Sequence, residues 1–380
     1  MNDYDVVIIG GGQAGLAMGY YLKQQQLSFI LLDKNDRIGD SWRQRYNSLV
    51  LFTPRKYSSL PGLAMEGVEN DFPTKEDMAT YLENYVNHFE LPVKGNTEVK
   101  KLRKQDSVFH IETNNGILRC KQVIVATGAF QKPYIPVVSN SENQPIYQLH
   151  SSQYRSPKNI PGNSVLVVGG GNSGAQIAVE LSKEKNVTIA IGHPFKFLPL
   201  HLFGKSIFSL LDKLGFLYAG VDTWKGKWFQ KQIDPIFGKE LKTLLTNKKV
   251  FIKPKVVSLT GTEVLFADDS KEAFDSIIWS TGFVPSYDWI HIDGVLSVEQ
   301  KPIHTRGITK VEGLYFLGLP WQYQRGSALI CGVGRDAEYL VSFIVSLRGS
   351  NEGPKLMLMP EKGSWRYGNK RSAIKRIKSH

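Results

Sequence analysis

Cysteine is nearly missing from this chain: Cys120 and Cys331 are the only two in 380 residues. They form no Cys-x-x-Cys, which excludes a disulfide framework, a zinc ribbon and a local dithiol redox motif. Long apolar runs are missing too. No stretch approaches the roughly 18 uninterrupted apolar residues of a membrane span, so a transmembrane helix is not expected. Met1-Asn2-Asp3-Tyr4 runs directly into Val6-Val7-Ile8-Ile9, without the cationic start and small-residue cleavage site of a secretory signal. A cytoplasmic location is the expectation. No His/Cys/Asp/Glu cluster has metal-ligand spacing, and no Ser, His and Asp arrangement suggests a nucleophilic triad, so no metal site is expected.

Charge is abundant but unevenly placed. The chain carries 47 Lys and Arg against 35 Asp and Glu, a net +12. Residues 193–255 hold a net +8 and residues 361–380 a net +6, so the other 297 residues are close to neutral. A basic surface for nucleic acid would be spread more widely, and no nucleic-acid partner is expected.

The chain's 35 glycines mark its organisation. The apolar run 5–9 leads into Gly10-Gly11-Gly12-Gln13-Ala14-Gly15, a helical pattern to Lys23, and a second run, Phe29-Ile30-Leu31-Leu32, ending at Asp33. Strand, Gly-x-Gly-x-x-Gly, helix, strand and acid form the dinucleotide fingerprint. The first Gly allows the tight turn, the second the approach of a diphosphate, and the third close packing of helix on strand. The helix N-terminus offers free N–H groups to phosphate, and Asp33 suits a ribose. The unit then repeats. Ser164–Val168 is followed by Gly169-Gly170-Gly171-Asn172-Ser173-Gly174, a helix to Lys183 and a strand 186–191. The place equivalent to Asp33 is Gly192, with His193 and Lys196 just beyond. Loss of the acid beside two cationic side chains suits a 2′-phosphate, hence NADPH over NADH.

Both units also end alike. Small meanders (97–103, 108–113 and 117–120; then 256–259 and 264–266) precede Val123-Ile124-Val125-Ala126-Thr127-Gly128 and Ile277-Ile278-Trp279-Ser280-Thr281-Gly282. Gly15 to Gly128 spans 113 residues and Gly174 to Gly282 spans 108, an internal repeat of a whole domain. A strand at Gly313–Gly318 and a helix opened by Gly332-Val333-Gly334-Arg335-Asp336-Ala337 are expected to return to the first unit. The fold expected is α/β: two Rossmann-like units of the glutathione-reductase type with parallel sheets and small antiparallel meanders. Residues 1–158 and 290–350 are expected to form the first, discontinuous dinucleotide-binding domain. Residues 159–289 form an NAD(P)-binding domain inserted in it, with an apolar and basic insert at 193–255, and 361–380 is a basic tail.

These residues resemble the flavin-containing monooxygenase superfamily over roughly 4–350, in particular the plant YUCCA-type enzymes and bacterial cation-efflux-associated flavoprotein oxidoreductases. The likeness is carried by Ser41-Trp42-Arg43-Gln44 through Pro54-Arg55-Lys56, by Leu60-Pro61-Gly62, by Phe72-Pro73-Thr74-Lys75, and by Leu198-Pro199 with Gly204–Phe208. Of the family fingerprint Phe-x-Gly-x-x-x-His-x-x-x-(Phe/Tyr)-(Lys/Arg), His150, Tyr154 and Arg155 match, while Gln144 and Ile146 replace Phe and Gly. Tyr154 stands where Baeyer–Villiger enzymes have Trp. Phe52 stands where animal-type members have an Asn beside the flavin.

The resemblance implies FAD on the first loop, with Gly10, Gly12, Gln13, Ala14, Gly15, Asp33, Lys34, Ser41, Trp42, Ala126, Thr127, Gly128 and Gly318 as candidate contacts. It implies NADP on the second, with Gly169, Gly171, Asn172, Ser173, Gly174, His193, Lys196, Thr281 and Gly282. It further implies a monooxygenase that oxygenates a small soft nucleophile, an amine or sulfide, or a 2-oxo acid, through a C4a-hydroperoxyflavin. Dioxygen and the small substrate are its partners. Phe52, Trp321 and Tyr323 are candidates for the flavin or substrate side, with no firm catalytic residue. Two alternatives stay open: an NAD(P)H oxidase or reductase producing peroxide or feeding another acceptor, and a flavin-binding accessory or sensor protein at the membrane surface. The aromatic insert, with Ile207, Leu210, Leu211 and Leu214 on one helical face, could dock to an anionic bilayer, roof the active site or form a homodimer contact.

Replacing His193 and Lys196 together should raise the KM for NADPH and leave that for NADH unchanged. Equal effects on both in steady-state kinetics would remove the 2′-phosphate assignment.

Overall fold

The computed structural model describes residues 4–138, 146–202 and 204–349. The basic tail 361–380, Gln144 and Phe203 lie outside them. Two sheets dominate: the first is mixed, with Val108–Thr113 and Val99–Gln105 antiparallel at one edge, and the second is parallel throughout. The first runs in the order Val93–Lys94, Phe29–Leu32, Tyr4–Ile9, Gly116–Val125, Val108–Thr113, Val99–Gln105. Val6, Val7 and Ile8 are fully buried, as befits a central parallel strand covered on both faces. The strand Leu314–Phe316 joins this sheet in parallel beside Val123–Val125, after the chain has built the second unit. The residues expected as a third meander strand and a separate buried strand form one ten-residue strand, Gly116–Val125. Its first half pairs with Val108–Thr113 and its second half with Leu314–Phe316, so one strand serves two neighbours on the same edge.

The second sheet runs Val250–Lys253, Asn186–Ala190, Ser164–Val168, Ser276–Trp279, Tyr147–His150, all parallel. Two boundaries change. Tyr147–His150 pairs with Ser276–Trp279, so the second unit begins before 147 and not at 159. The helix Glu240–Thr246 buries Leu241 in the second core and leads to the edge strand Val250–Lys253, so the insert ends near 239 and not at 255. The apolar period of 240–253 is that of an ordinary crossover helix and strand, hidden in the sequence by its lysines.

Helices cover the sheets as amphipathic faces. Val333, Ala337, Leu340 and Ile344, at helical spacing along Ile330–Gly349, pack on the buried side of Gln13–Gln24. That last helix starts at Ile330, so Gly332 and Gly334 lie inside its first turns and do not open it. A Cβ at Gly332 would meet the backbone of Gly326, and one at Gly334 would meet Pro61 at 2.5 Å, which is why small residues are needed there. Lys75–His88 begins with a capping box: Thr74 accepts from the Asp77 N–H, and the Asp77 carboxylate accepts from the Thr74 N–H. Such a cap contributes about 1 kcal/mol. Lys75 is buried, and its Nζ donates to the carbonyls of Arg43 and Arg45 at 2.9 and 2.8 Å, fixing the 41–46 segment to this helix.

Two chain passages join the units, and they run antiparallel as Lys132–Pro133 and Phe283–Val284. His150 anchors the second. Its Nδ1 accepts from the Ser152 N–H at 3.1 Å, so the proton sits on Nε2, which donates to the Gly282 carbonyl at 2.8 Å. Burial, with Arg45 adding to it, draws the His150 pKa below the ordinary imidazole value of 6.5, against the pull of the Gly282 carbonyl. A depressed imidazole pKa gives stability that is present above 6.5 and lost as pH falls through the lower folded value. The unfolding temperature should therefore fall more between pH 7 and pH 5 for the wild type than for His150→Gln. An equal fall in the two proteins would show that His150 does not carry the dependence.

Candidate functional site

Each sheet presents the same cradle at the carboxyl end of its first strand. In the first, Gly10 has φ +112° and a Cβ there would stand 2.5 Å from the Ala126 carbonyl oxygen. A Cβ at Gly15 would overlap the Gly10 carbonyl oxygen. In the second, a Cβ at Gly169 (φ +123°) would overlap the Ser280 carbonyl oxygen, and one at Gly174 would overlap that of Gly169. These four glycines let helix and strand-end backbones touch. The middle glycines differ in kind. Around Gly12 and Gly171 nothing lies within 4 Å of a built Cβ, and the same holds at Gly128 and Gly282, both at positive φ. Gly12 and Gly171 are N-caps of Gln13–Gln24 and Asn172–Leu181, and neither helix has a side-chain cap. Free helical N–H groups thus face open space in both units, an arrangement that accepts phosphate oxygens.

The remaining first-loop candidates fall around this cradle. The Asp33 carboxylate accepts from the Gly11 N–H at 2.7 Å and from the Asn35 N–H and side-chain amide at 2.8 and 2.9 Å. These bonds hold it against the loop. Gln13 donates to the Ala328 carbonyl and Ala14 abuts Gly318, so the turn 318–328 is seated on the helix start. Thr127 and Gly128 each accept from the Gln131 amide, whose oxygen accepts from the Ser286 N–H in the return passage. Lys34 and Ser41 are exposed and Trp42 is half-buried against the first core.

In the second loop the Asn172 side chain is committed elsewhere. It donates to the Pro235 carbonyl at 3.0 Å and accepts from the Phe237 N–H at 2.9 Å, clamping the insert to the helix start. Its backbone N–H is what it can offer a ligand. Ser173 and Gln176 face Tyr46, whose hydroxyl donates to Gln176 at 2.8 Å. Thr281 donates to the Tyr134 carbonyl. His193 and Lys196 lie exposed past the strand end, with Lys196 bonded to Gln232 at 2.8 Å.

The three candidates for the flavin or substrate side divide. Phe52 stacks on Phe237 at 4.5 Å and 13° and on Phe208 at 6.2 Å, inside a cluster with Tyr57, Ile207 and Leu217. The apolar face of Ile207–Lys213 is therefore turned into the protein, apart from Leu214. Tyr323 is taken up by packing. Arg306 covers one face at 3.7 Å, and its ring stands against Gly220. Trp321, at φ +55°, meets Phe229 edge-on and stays half-buried.

Sequence reasoning passed over the support of this turn. Arg306 lies between the rings of Tyr323 and Tyr339 and 3.8 Å from the fully buried Asp336. Among the described residues neither Asp336 oxygen has a partner within hydrogen-bond geometry, and burial pushes its pKa above the usual carboxylate range against the pull of the nearby Ser327 and Arg306. Nothing in the spacing of Arg306 and Asp336 announces their meeting.

Among the described residues no group of three or more His, Cys, Asp or Glu could hold a metal, and no helix is long and apolar enough to cross a membrane. Cys120 is buried in the first sheet and Cys331 packs against the Phe52 cluster, so the two belong to separate cores.

A family model described as pyridine nucleotide-disulphide oxidoreductase matches residues 7–196. The CzcO-like oxidoreductase of Geobacillus kaustophilus is 55% identical, over 90% of this chain and 98% of its own. The indole-3-pyruvate monooxygenase YUCCA8 of rice is 27% identical, over 87% and 88%. The solved flavin-containing monooxygenase of Stenotrophomonas maltophilia superposes with a TM-score of 0.77 at 28% identity, covering 92% of this chain and all of that one. With its doubled cradle and these relatives, the chain belongs to the pyridine nucleotide-disulphide oxidoreductase family and to the flavin-containing monooxygenase superfamily.

Proposed function

We propose that this oxidoreductase is an FAD-dependent, NADPH-using monooxygenase acting on a small soft nucleophile (an amine or sulfide) or a 2-oxo acid. The observation that carries it is the repeated open cradle: Gly12 with Gly128, and Gly171 with Gly282, each beside an uncapped helix. The first cradle has the acid that suits a ribose, and the second has Gly192, His193 and Lys196 in its place. Bound FAD supplies the capacity to accept hydride and to react with dioxygen. The chain's own work is positional. The N–H groups after Gly12 and Gly171 hold the diphosphates. Asp33, fixed by Gly11 and Asn35, orients the ribose. The turn 318–328 brings the start of the last helix over the first cradle. The insert, seated on Phe52 and Tyr57, excludes water from that side.

Separation of the two cysteines supports electron transfer away from a dithiol. One observation favours an NADPH oxidase as a second reading: Phe52 is apolar and stacked, and offers no hydrogen bond on the flavin side. Oxygen uptake, NADPH consumption and product should be measured together on the yellow protein. An oxygenated sulfide, amine or acid product in proportion to NADPH is expected. Hydrogen peroxide in full stoichiometry without such a product would leave the oxidase, and no NADPH oxidation would end both readings.

The two kinds of glycine give a second test. Gly12→Ala adds a methyl to open space, so the apoprotein's unfolding temperature should stay within a degree or two while flavin affinity drops about tenfold. Gly15→Ala collides with the Gly10 carbonyl, so both should fall. Thermal melts of the apoproteins and flavin titration read the difference.

A further inference from the structure

Arg45 stands in the seam between the two units. Its carbonyl is held by Lys75, and Tyr46 beside it is buried in the second core with its hydroxyl on Gln176. The backbone at 45 is thus fixed from both sides. The guanidinium lies over the rings of Phe130, at 5.4 Å, and Phe283, at 5.1 Å. Phe130 follows the turn Ala126-Thr127-Gly128, and Phe283 follows Ser280-Thr281-Gly282. Arg45 therefore sits at the carboxyl ends of the parallel strands of both sheets, where open α/β sheets take their ligands.

Among the described residues nothing compensates its charge, and Arg45 makes one side-chain hydrogen bond, a long 3.3 Å from Nε to the Ser41 carbonyl. Among the described residues no carboxylate lies within 4.0 Å of it, whereas Arg43 pairs with Asp40 and Glu83, and Arg55 with Asp77. The nearby cation adds to the imbalance: Arg155 donates to the carbonyls of Ser152 and Tyr154 and has no carboxylate partner among the described residues. Burial, together with repulsion from Arg155, draws the Arg45 pKa below its ordinary value, against the pull of Tyr46. Two guanidinium groups in a half-buried seam without an acid are costly unless an anion joins them. The planar fork, held flat by aromatic rings, suits two oxygens at once.

We infer that Arg45, assisted by Arg155, clamps the diphosphate of the dinucleotide held by the second unit, bridging it to the first. The inference rests on the reading of Gly169–Gly174 as the NADPH loop. Tyr46 links the two places, because it touches Ser173 and Gln176 on the first turns of the helix that faces the diphosphate. NADPH and NADH share the diphosphate, so this contact is indifferent to the 2′-phosphate, in contrast to that of His193 and Lys196.

Equilibrium binding of NADP⁺ and NAD⁺ to the flavin-loaded protein tests it. Arg45→Gln should weaken both by a similar factor of about ten or more, and Arg155→Gln should weaken both by less. Arg45→Lys should fall between Arg45→Gln and wild type. Flavin content and unfolding temperature check that each variant is folded, and Arg45→Lys with Arg155→Gln keeps the test open if Arg45→Gln is not. Unchanged affinity for both nucleotides in a folded variant overturns the inference, as does a loss confined to NADP⁺. If the wild type binds neither nucleotide, the reading of the second loop fails first and the clamp fails with it.

Discussion

The architecture depends on one contact made twice, a helix backbone lying against the carbonyl at the end of a strand. Gly15 over Gly10 and Gly174 over Gly169 leave no room for a methyl group. Only because of that closeness do the first N–H groups of each helix converge on the strand end. The gain per ligand is modest: an anion at a helix N-terminus is stabilised by about 0.3–1 kcal/mol when exposed, and by about 2 kcal/mol when partly buried. Two cradles alone therefore cannot hold dinucleotides tightly. Other contacts across the seam must add to them, which is why an unpaired guanidinium between the two turns matters more than another loop residue.

The insert shows how burial decides among readings of an amphipathic segment. Ile207 and Phe208 are buried against Phe52 and Tyr57. At about 1.5–3 kcal/mol for each buried large side chain, the inward contact outweighs what a solvated face would gain. Trp224, Trp228 and Leu214 remain exposed among lysines, but the face that looked most like a bilayer anchor is already covered by the protein itself.

The two glycine loops and the strand ends they face were legible in the sequence, because both are dictated by backbone sterics that local residues reveal. The return strand Leu314–Phe316 was legible for the same reason. Misplaced boundaries had a different cause. Tyr147–His150 and Val250–Lys253 are short strands whose membership depends on a distant partner, Ser276–Trp279 in one case and Asn186–Ala190 in the other. The commitments of Asn172 to Pro235 and Phe237, and of Tyr323 to Arg306, are likewise long-range. Asp336 was invisible because its partner Arg306 lies thirty residues away, and Arg45 because what distinguishes it is that no carboxylate among the described residues lies against it. No spacing rule records an absence of that sort.

The return strand has a consequence for how the protein is made. All five strands of the second sheet have been synthesised once Trp279 has emerged from the ribosome, whereas the first sheet lacks Leu314–Phe316 until some thirty-five residues later. Domains generally fold as units during synthesis. Here the unit that starts first is closed last, and Val123–Val125 presents an open strand edge through that interval. The nascent chain is most exposed to wrong pairing there, in the time it takes to translate residues 280–316.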